Sequence, residues 1–292
     1  MRTITVSRAL LVAGAIAVAS SATDAAGQQR GQGQGAPAPA PRTPRQAAPS
    51  DFTGNWVAVI TEDWRFRMVT PPKGDFASVP LNDAGQKLAN TWDPARDIAA
   101  GEQCRAYGAA GLMRMPIRLR VSWQDDTTLK FETDNGQQVR LFKFGTPPAP
   151  TTPPDWQGHS VAQWETFLEG QGQAAGGGGG GGGGRGGGGG GPQLSGSMKV
   201  VTTRMKPGYL RRNGIPYSGQ AVLTEYFDRT NESNGDSWLI VTSTVEDPAN
   251  LAQPFMTSTH FKRETDGSKW APRPCEVTPE VRGRTGRSQG GP

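Results

Sequence analysis

The chain has 292 residues, of which 41 are glycine and two are cysteine, and its formal net charge is +5 at pH 7. The positive excess lies near the two ends, and residues 51–275 are electrically balanced, so the sequence shows no basic face for nucleic acid. No apolar run approaches the roughly 20 residues that a membrane-spanning helix needs, which argues against stable membrane insertion.

The N-terminal segment has the features of a secretory signal peptide. Arg2 and Arg8 precede the apolar run ALLVAGAIAVA, and small residues that suit cleavage follow it. We therefore predict a signal peptide over residues 1–26 and a periplasmic or extracellular protein. Residues 27–50 and 278–292 contain few apolar side chains larger than alanine. We predict a disordered leader and a disordered tail there, with cell-envelope contact as one role for them.

The predicted elements of the central part are mostly β-strands. The clearest strand is IRLRVSW, residues 117–123, in which apolar and polar residues alternate with the period of a strand that has one buried face. One helix is predicted over residues 81–92, with Asn82 or Asp83 as its N-cap and Pro94 placed to end it. Further strand candidates are the segments GNWVAVIT, RFRMV, TLKFET, QVRLFKF, SVAQWE, SMKVVTTRM, AVLTEYFDR, SWLIVTSTV and FMTSTHFKR.

These strands predict the fold. Antiparallel strands must protect their edges, and closure into a barrel removes the edges altogether. We therefore predict a mainly β fold, a single antiparallel β-barrel of roughly eight to ten strands over residues 51–277, with one short helix. A two-sheet sandwich is the alternative. The glycine-rich segment, residues 170–196, lies between SVAQWE and SMKVVTTRM, so we predict that it is a loop insertion in one hairpin.

The two cysteines, Cys104 and Cys275, are expected to form a disulfide bond, because exported proteins fold in oxidising surroundings. Such a bond would tie the early part of the central domain to its last residues. A reactive thiol or a metal ligand is the alternative. No second cysteine or histidine lies at ligand spacing, so we predict no metal site.

The segment FTGNW places Gly54 and Trp56 at the head of the first strand and resembles the G-x-W motif of lipocalins and their calycin relatives. In those barrels, a basic residue from a late strand packs over the tryptophan, and Arg263 is the matching residue here, with Lys262 as the second choice. The resemblance implies structural roles for Gly54, Trp56 and Arg263, and a barrel that holds a small apolar ligand.

A wider resemblance covers nearly all of residues 51–275. The chain is similar to a group of secreted bacterial lipocalin-like proteins in the segments GNW, LNDAGQKLANTWDP, Cys104, MRMP, GHSVAQWE, PYS and EDP. This resemblance implies one lipocalin-like β-barrel domain. It brings no known activity with it.

A few unusual polar residues supply the candidate site. His159 follows a glycine at a strand entry, where barrels collect binding groups, so it is the candidate general base or hydrogen-bond donor. Glu225 shares a strand face with Leu223 and Phe227 and is the candidate catalytic carboxylate. A strand-capping role for His159 and a solvated Glu225 are the alternatives. The predicted ligand-binding residues are Trp156, His159, Arg204, Tyr217 and His260.

The leading functional prediction is a secreted protein that binds a small, largely apolar molecule without a cofactor. The alternative is a cofactor-independent hydrolase, lyase or isomerase that uses His159 and a carboxylate such as Glu225. A further alternative is a structural protein of the cell envelope.

Overall fold

The computed structural model describes residues 40–168 and 194–280. Within these ranges, nine strands close into one barrel and two short strands form a separate hairpin. The strands are β1 (Gly54–Val59), β2 (Arg118–Trp123), β3 (Thr128–Thr133), β4 (Val139–Phe144), β5 (His159–Leu168), β6 (Leu194–Thr203), β7 (Gly208–Arg211), β8 (Ile215–Tyr217), β9 (Val222–Asn231), β10 (Ser237–Glu246) and β11 (Phe255–Glu264), of which β7 and β8 form the hairpin.

The barrel confirms the predicted fold class. Its strand order is β1-β11-β10-β9-β6-β5-β4-β3-β2, and β2 pairs again with β1. Neighbouring strands of the described barrel are antiparallel, except that β4 and β5 run parallel. An odd number of strands cannot alternate in direction all the way round, so one parallel pair is required. The prediction of a purely antiparallel barrel is therefore wrong at the pair β4 and β5.

The structure corrects the expectation of one short helix. The described residues contain α1 (Trp64–Arg67), α2 (Asp83–Ala89), α3 (Pro94–Ala99), a 3₁₀ helix (Gln103–Tyr107) and α4 (Ala109–Leu112). The predicted helix is α2, and the side chain of its N-cap, Asn82, accepts a hydrogen bond from the Gly85 amide at 2.8 Å.

Two sequence expectations in this helical region are wrong. Pro94 does not end α2 but begins α3, where proline fits well because the first helical N–H needs no partner within the helix. RFRMV contains part of α1 and is not a strand. Its alternation of arginine and apolar residues imitates the strand period over too few positions to separate it from one helical turn.

Side chains of the protein fill the barrel axis. Phe131, Phe142 and Phe227 are buried, and their ring centroids lie 4.6 to 5.3 Å apart. Aromatic rings at these separations are in contact. The space that a ligand would occupy in a hollow barrel is therefore taken by the protein itself.

Aromatic residues and the chain before β1 cover one end of the barrel. The ring of Trp164 stacks on Phe52, with centroids 5.9 Å apart, and lies 4.7 Å from Phe144. The Trp164 Nε1 donates to the carbonyl oxygen of Pro44 at 2.8 Å. This last part of the predicted leader is thus held against the barrel. The predicted signal peptide and the glycine run lie outside the described residues.

β5 and β6 are antiparallel neighbours from the pair His159 and Thr203 to the pair Leu168 and Leu194. The glycine-rich segment therefore lies between the two strands of one hairpin. Its predicted bounds, residues 170–196, are wrong at the C-terminal end, because residues 194–196 belong to β6.

The predicted disulfide bond is present. Cys104 in the 3₁₀ helix bonds to Cys275 beyond β11, and their Cα atoms are 5.1 Å apart. The bond ties the segment before β2 to the end of the domain, and it is typical of proteins from oxidising compartments. In the described ranges, no helix has both the length and the apolar character that crossing a membrane requires.

Candidate functional site

The G-x-W residues form a structural group. Trp56 is fully buried, and its Nε1 donates to the carbonyl oxygen of Phe52 at 3.0 Å. The guanidinium of Arg263 lies 5.8 Å from the ring centroid, where the lipocalin resemblance implies it, and Arg229 lies 5.9 Å away. Gly54 has φ +126°, and a Cβ there would come within 3.3 Å of the Arg263 guanidinium. These contacts give the group a packing role.

Glu225 lies inside the barrel in an ion pair with Arg140. The carboxylate accepts hydrogen bonds from Nη1 and Nη2 of Arg140 at 3.0 and 2.6 Å, and both residues are at most 1% exposed. Nη2 also donates to Thr202 Oγ1 at 3.1 Å, and that hydroxyl bonds Ser160 at 2.8 Å. The alternative prediction, that Glu225 is exposed to solvent, is therefore wrong. The pair bridges the interior, because β5 and β6 separate β4 from β9 in the barrel.

His159 and Glu225 face opposite sides of the barrel wall. Along β5, Ser160 and Ala162 are buried, whereas His159 is half-buried and lines a cleft on the outside. The sheet stands between the imidazole and the carboxylate. The predicted catalytic pair is not assembled.

His159 lies instead beside two other basic side chains in a cleft of about 210 Å³, here called the His159 cleft. Lys143 from β4 and Arg204 beyond β6 line it with His159, and Asp155 is the carboxylate among its lining residues. Val139 and Leu141 add an apolar wall. The cleft thus combines an apolar surface with an excess of positive charge.

Local backbone geometry holds these walls in place. Arg204 has φ +56° directly after β6, and its Nη2 donates to the carbonyl oxygen of Thr152 at 3.1 Å, which fixes the proline-rich wall. The Asp155 carboxylate accepts hydrogen bonds from the backbone amides of Gln157 and Gly158 at 2.9 and 2.7 Å. This turn leads the chain into β5 and engages the carboxylate within its own loop.

Electrostatics favour an anion in the His159 cleft. Partial burial, together with the charges of Lys143 and Arg204, lowers the pKa of His159 below its ordinary value of 6.5. The imidazole is therefore neutral at pH 7, with one ring nitrogen that donates and one that accepts. A bound anion would offset the two neighbouring cations and favour the charged imidazole.

The other predicted ligand-binding residues lie elsewhere. Tyr217 is 1% exposed, burial raises its pKa, and it lines a separate cleft of about 180 Å³ beside Trp92 and Tyr209. His260 on β11 contacts Glu62 through Nδ1 at 2.5 Å. Trp156 packs under Lys206, whose Nζ lies 4.4 Å from the ring centroid. Of the five predicted residues, the His159 cleft unites His159 and Arg204.

Sequence reasoning missed Arg140 and Lys143. The signal for Arg140 was available, because strict alternation in QVRLFKF places Arg140 on the same face as Phe142 and Phe144. A charged residue on that apolar face calls for a buried partner. Lys143 gave no such signal, since its approach to His159 depends on the parallel pairing of β4 and β5.

Comparison of the chain with family models, with curated proteins and with solved structures finds no match. The resemblance to secreted bacterial lipocalin-like proteins therefore stays a prediction. The geometry of the His159 cleft is what indicates a function.

Proposed function

We propose that the protein binds a small organic anion in the His159 cleft, on the outside of the barrel. The observation that carries this proposal is the convergence of Lys143, His159 and Arg204 on one cavity of about 210 Å³. Export of the protein, predicted from its N-terminal sequence, belongs to the proposal and agrees with the disulfide bond.

The positive charge in the His159 cleft is available to a bound anion. Asp155 supplies one negative charge against the two cations Lys143 and Arg204, and its hydrogen bonds go to backbone amides of its own turn, so the cleft keeps a positive excess. Val139 and Leu141 offer contact area to an apolar portion of the ligand. Pockets for drug-sized ligands typically have volumes of roughly 300 to 1,000 Å³. The His159 cleft is smaller than these pockets, so it suits a smaller molecule.

The predicted apolar ligand finds less support. The phenylalanine rings of the barrel axis occupy the interior, and the cleft outside is lined by charged groups. Catalysis by His159 with Glu225 also lacks support, because the barrel wall separates the two side chains. Binding of an anion requires neither of these arrangements.

Native mass spectrometry of the full-length protein from its own host tests the proposal, with identification of whatever is released on denaturation. We expect a stoichiometric acidic molecule that is lost in the Lys143→Gln/Arg204→Gln variant. The matched control is Lys87→Gln/Arg96→Gln, which removes the same charge from exposed helix positions outside the cleft. Retention of the molecule by the cleft variant, or recovery of a neutral apolar compound, would contradict the proposal.

A further inference from the structure

A second group of basic residues lies away from the His159 cleft, between α1 and the β7–β8 hairpin. One small cavity, here called the arginine cavity, is lined by Arg67 of α1, Arg114 beyond α4, Arg211 at the end of β7 and Arg212 directly after it. Its remaining walls include Phe66 and Leu210. None of these residues takes part in the proposed function.

These arginines are unusually buried. Arg67, Arg211 and Arg114 are 2%, 4% and 8% exposed. Arginine side chains are rarely so buried unless a partner compensates their charge. The guanidinium of Arg211 also lies over an aromatic ring, with its Cζ 4.0 Å from the Phe66 ring centroid.

The hydrogen-bonding capacity of Arg67 and Arg211 is only partly satisfied by other groups of the protein. The Arg67 Nε donates to the carbonyl oxygen of Arg114 at 3.0 Å, and the Arg211 Nη1 donates to that of Ala77 at 2.6 Å. Nη1 and Nη2 of Arg67, and Nε and Nη2 of Arg211, have no hydrogen-bond partner among the described residues. A buried charged donor without a partner is costly, so this geometry calls for an acceptor.

Nearby carboxylates do not balance the charge. Asp63 pairs with Arg114 at 2.9 Å. Glu62 lies 3.8 Å from Arg67 and also contacts His260. Within the described ranges, no carboxylate lies within 4 Å of a guanidinium nitrogen of Arg211 or Arg212, so two carboxylates face four guanidinium groups.

The Arg211 guanidinium nevertheless stays charged. Burial and the neighbouring Arg114 lower the pKa of Arg211 to about 10, which is still well above neutral pH. Burial likewise lowers the pKa of Arg67, with a further contribution from Arg114. Deprotonation therefore does not remove the charge of Arg211 near neutral pH.

We propose that the arginine cavity binds one small inorganic anion of halide size, with Arg67 and Arg211 as its main ligands. The cavity volume is about 10 Å³, close to the space that a single water molecule needs. A halide ion is somewhat larger than a water molecule, but among simple inorganic anions it is the nearest to this size, whereas sulfate, with five atoms, is far too large. Arginine suits this role because its guanidinium keeps its charge and presents several donors in one plane.

The first test is thermal unfolding of the full-length protein in chloride, bromide, sulfate or gluconate at constant ionic strength. We expect about 100 mM chloride or bromide to raise the melting temperature by roughly 5 °C relative to gluconate, because a ligand that binds only the folded state stabilises it. Arg211→Met should lose this halide-specific rise, whereas the exposed control Arg96→Met should keep it.

Equal melting temperatures in all four salts would overturn the proposal, as would stabilisation by sulfate without an effect of halide. Retention of the full halide effect by Arg211→Met would overturn it too. If that variant does not fold, anomalous diffraction from bromide-soaked crystals of the unaltered protein decides the question. A bromide within hydrogen-bond distance of Arg67 and Arg211 supports the site, and bromide at other positions alone overturns it.

Discussion

The barrel interior and the His159 cleft both contain charged residues, but they compensate this charge in different ways. Inside, the Arg140 guanidinium meets a carboxylate through two hydrogen bonds, and both residues are closed off from solvent. In the cleft, Lys143 and Arg204 surround a neutral imidazole, and Asp155 is engaged by its own turn. The barrel interior is therefore packed and its charge is neutralised, whereas the cleft on which the proposed binding depends lies on the outer surface and keeps a positive excess.

The largest expected effect comes from breaking the interior pair. Glu225→Gln leaves the Arg140 guanidinium buried without a counter-charge, so we expect the free energy of unfolding to fall by about 3–5 kcal/mol. Arg140→Met/Glu225→Leu should recover most of this loss, because both charges are then removed. Urea denaturation measures both variants. A loss well under 1 kcal/mol in Glu225→Gln would show that the pair is not buried as described.

The disulfide bond stabilises the outer segments without forming part of the cleft. Cys104→Ser/Cys275→Ser should lower the free energy of unfolding by about 2–4 kcal/mol, because the unfolded chain gains freedom. Ligand binding in the His159 cleft should persist at temperatures where the variant is folded. Chemical denaturation and a binding assay check the two statements separately, and loss of binding by the folded variant would count against a cleft built on β4, β5 and β6.

The pH dependence of stability has a smaller contribution from His159. Because its folded pKa lies below 6.5, the unfolded chain takes up the proton first as the pH falls. The contribution of His159 is therefore fully present above pH 6.5 and is lost as the pH falls through the folded pKa. We expect the difference between urea midpoints at high and low pH to be smaller in His159→Gln than in the unaltered protein. An identical pH dependence in the two proteins would contradict the lowered pKa.

The smallest effect is expected in the glycine run. Shortening residues 176–191 to three glycines roughly halves the connection between β5 and β6, and halving a flexible loop changes its closure free energy by about 0.6 kcal/mol. The melting temperature should stay almost constant, as differential scanning calorimetry can show. A large fall would mean that the run packs on the domain.

Much of the fold follows from local sequence patterns, whereas the site does not. Alternating apolar residues predict the barrel strands well, since each strand has one face inside. The residues of β7 and β8 are all buried, so no alternation marks this hairpin. The parallel pair of β4 and β5 depends on closure of the whole barrel, and neither strand shows it alone.

The same dependence on strand pairing explains why the sequence predicted only part of the candidate site. His159 was recognisable from its place at a strand entry, and Glu225 from the apolar face that it shares. Their separation by the sheet depends on which face of each strand points inward. The meeting of Lys143 with Arg204 depends on strand pairing and on the left-handed backbone of Arg204, which single-strand patterns do not contain.

Proton NMR of the two histidine rings tests the central claim most directly, because the chain contains only His159 and His260. The acidic molecule recovered from the native protein is added while the pH is varied. The account predicts that it shifts the His159 signals and raises the His159 pKa, and that it leaves the His260 signals in place. The Lys143→Gln/Arg204→Gln variant should lose this response. An unchanged His159 in the presence of bound molecule would place the binding site elsewhere and contradict the account.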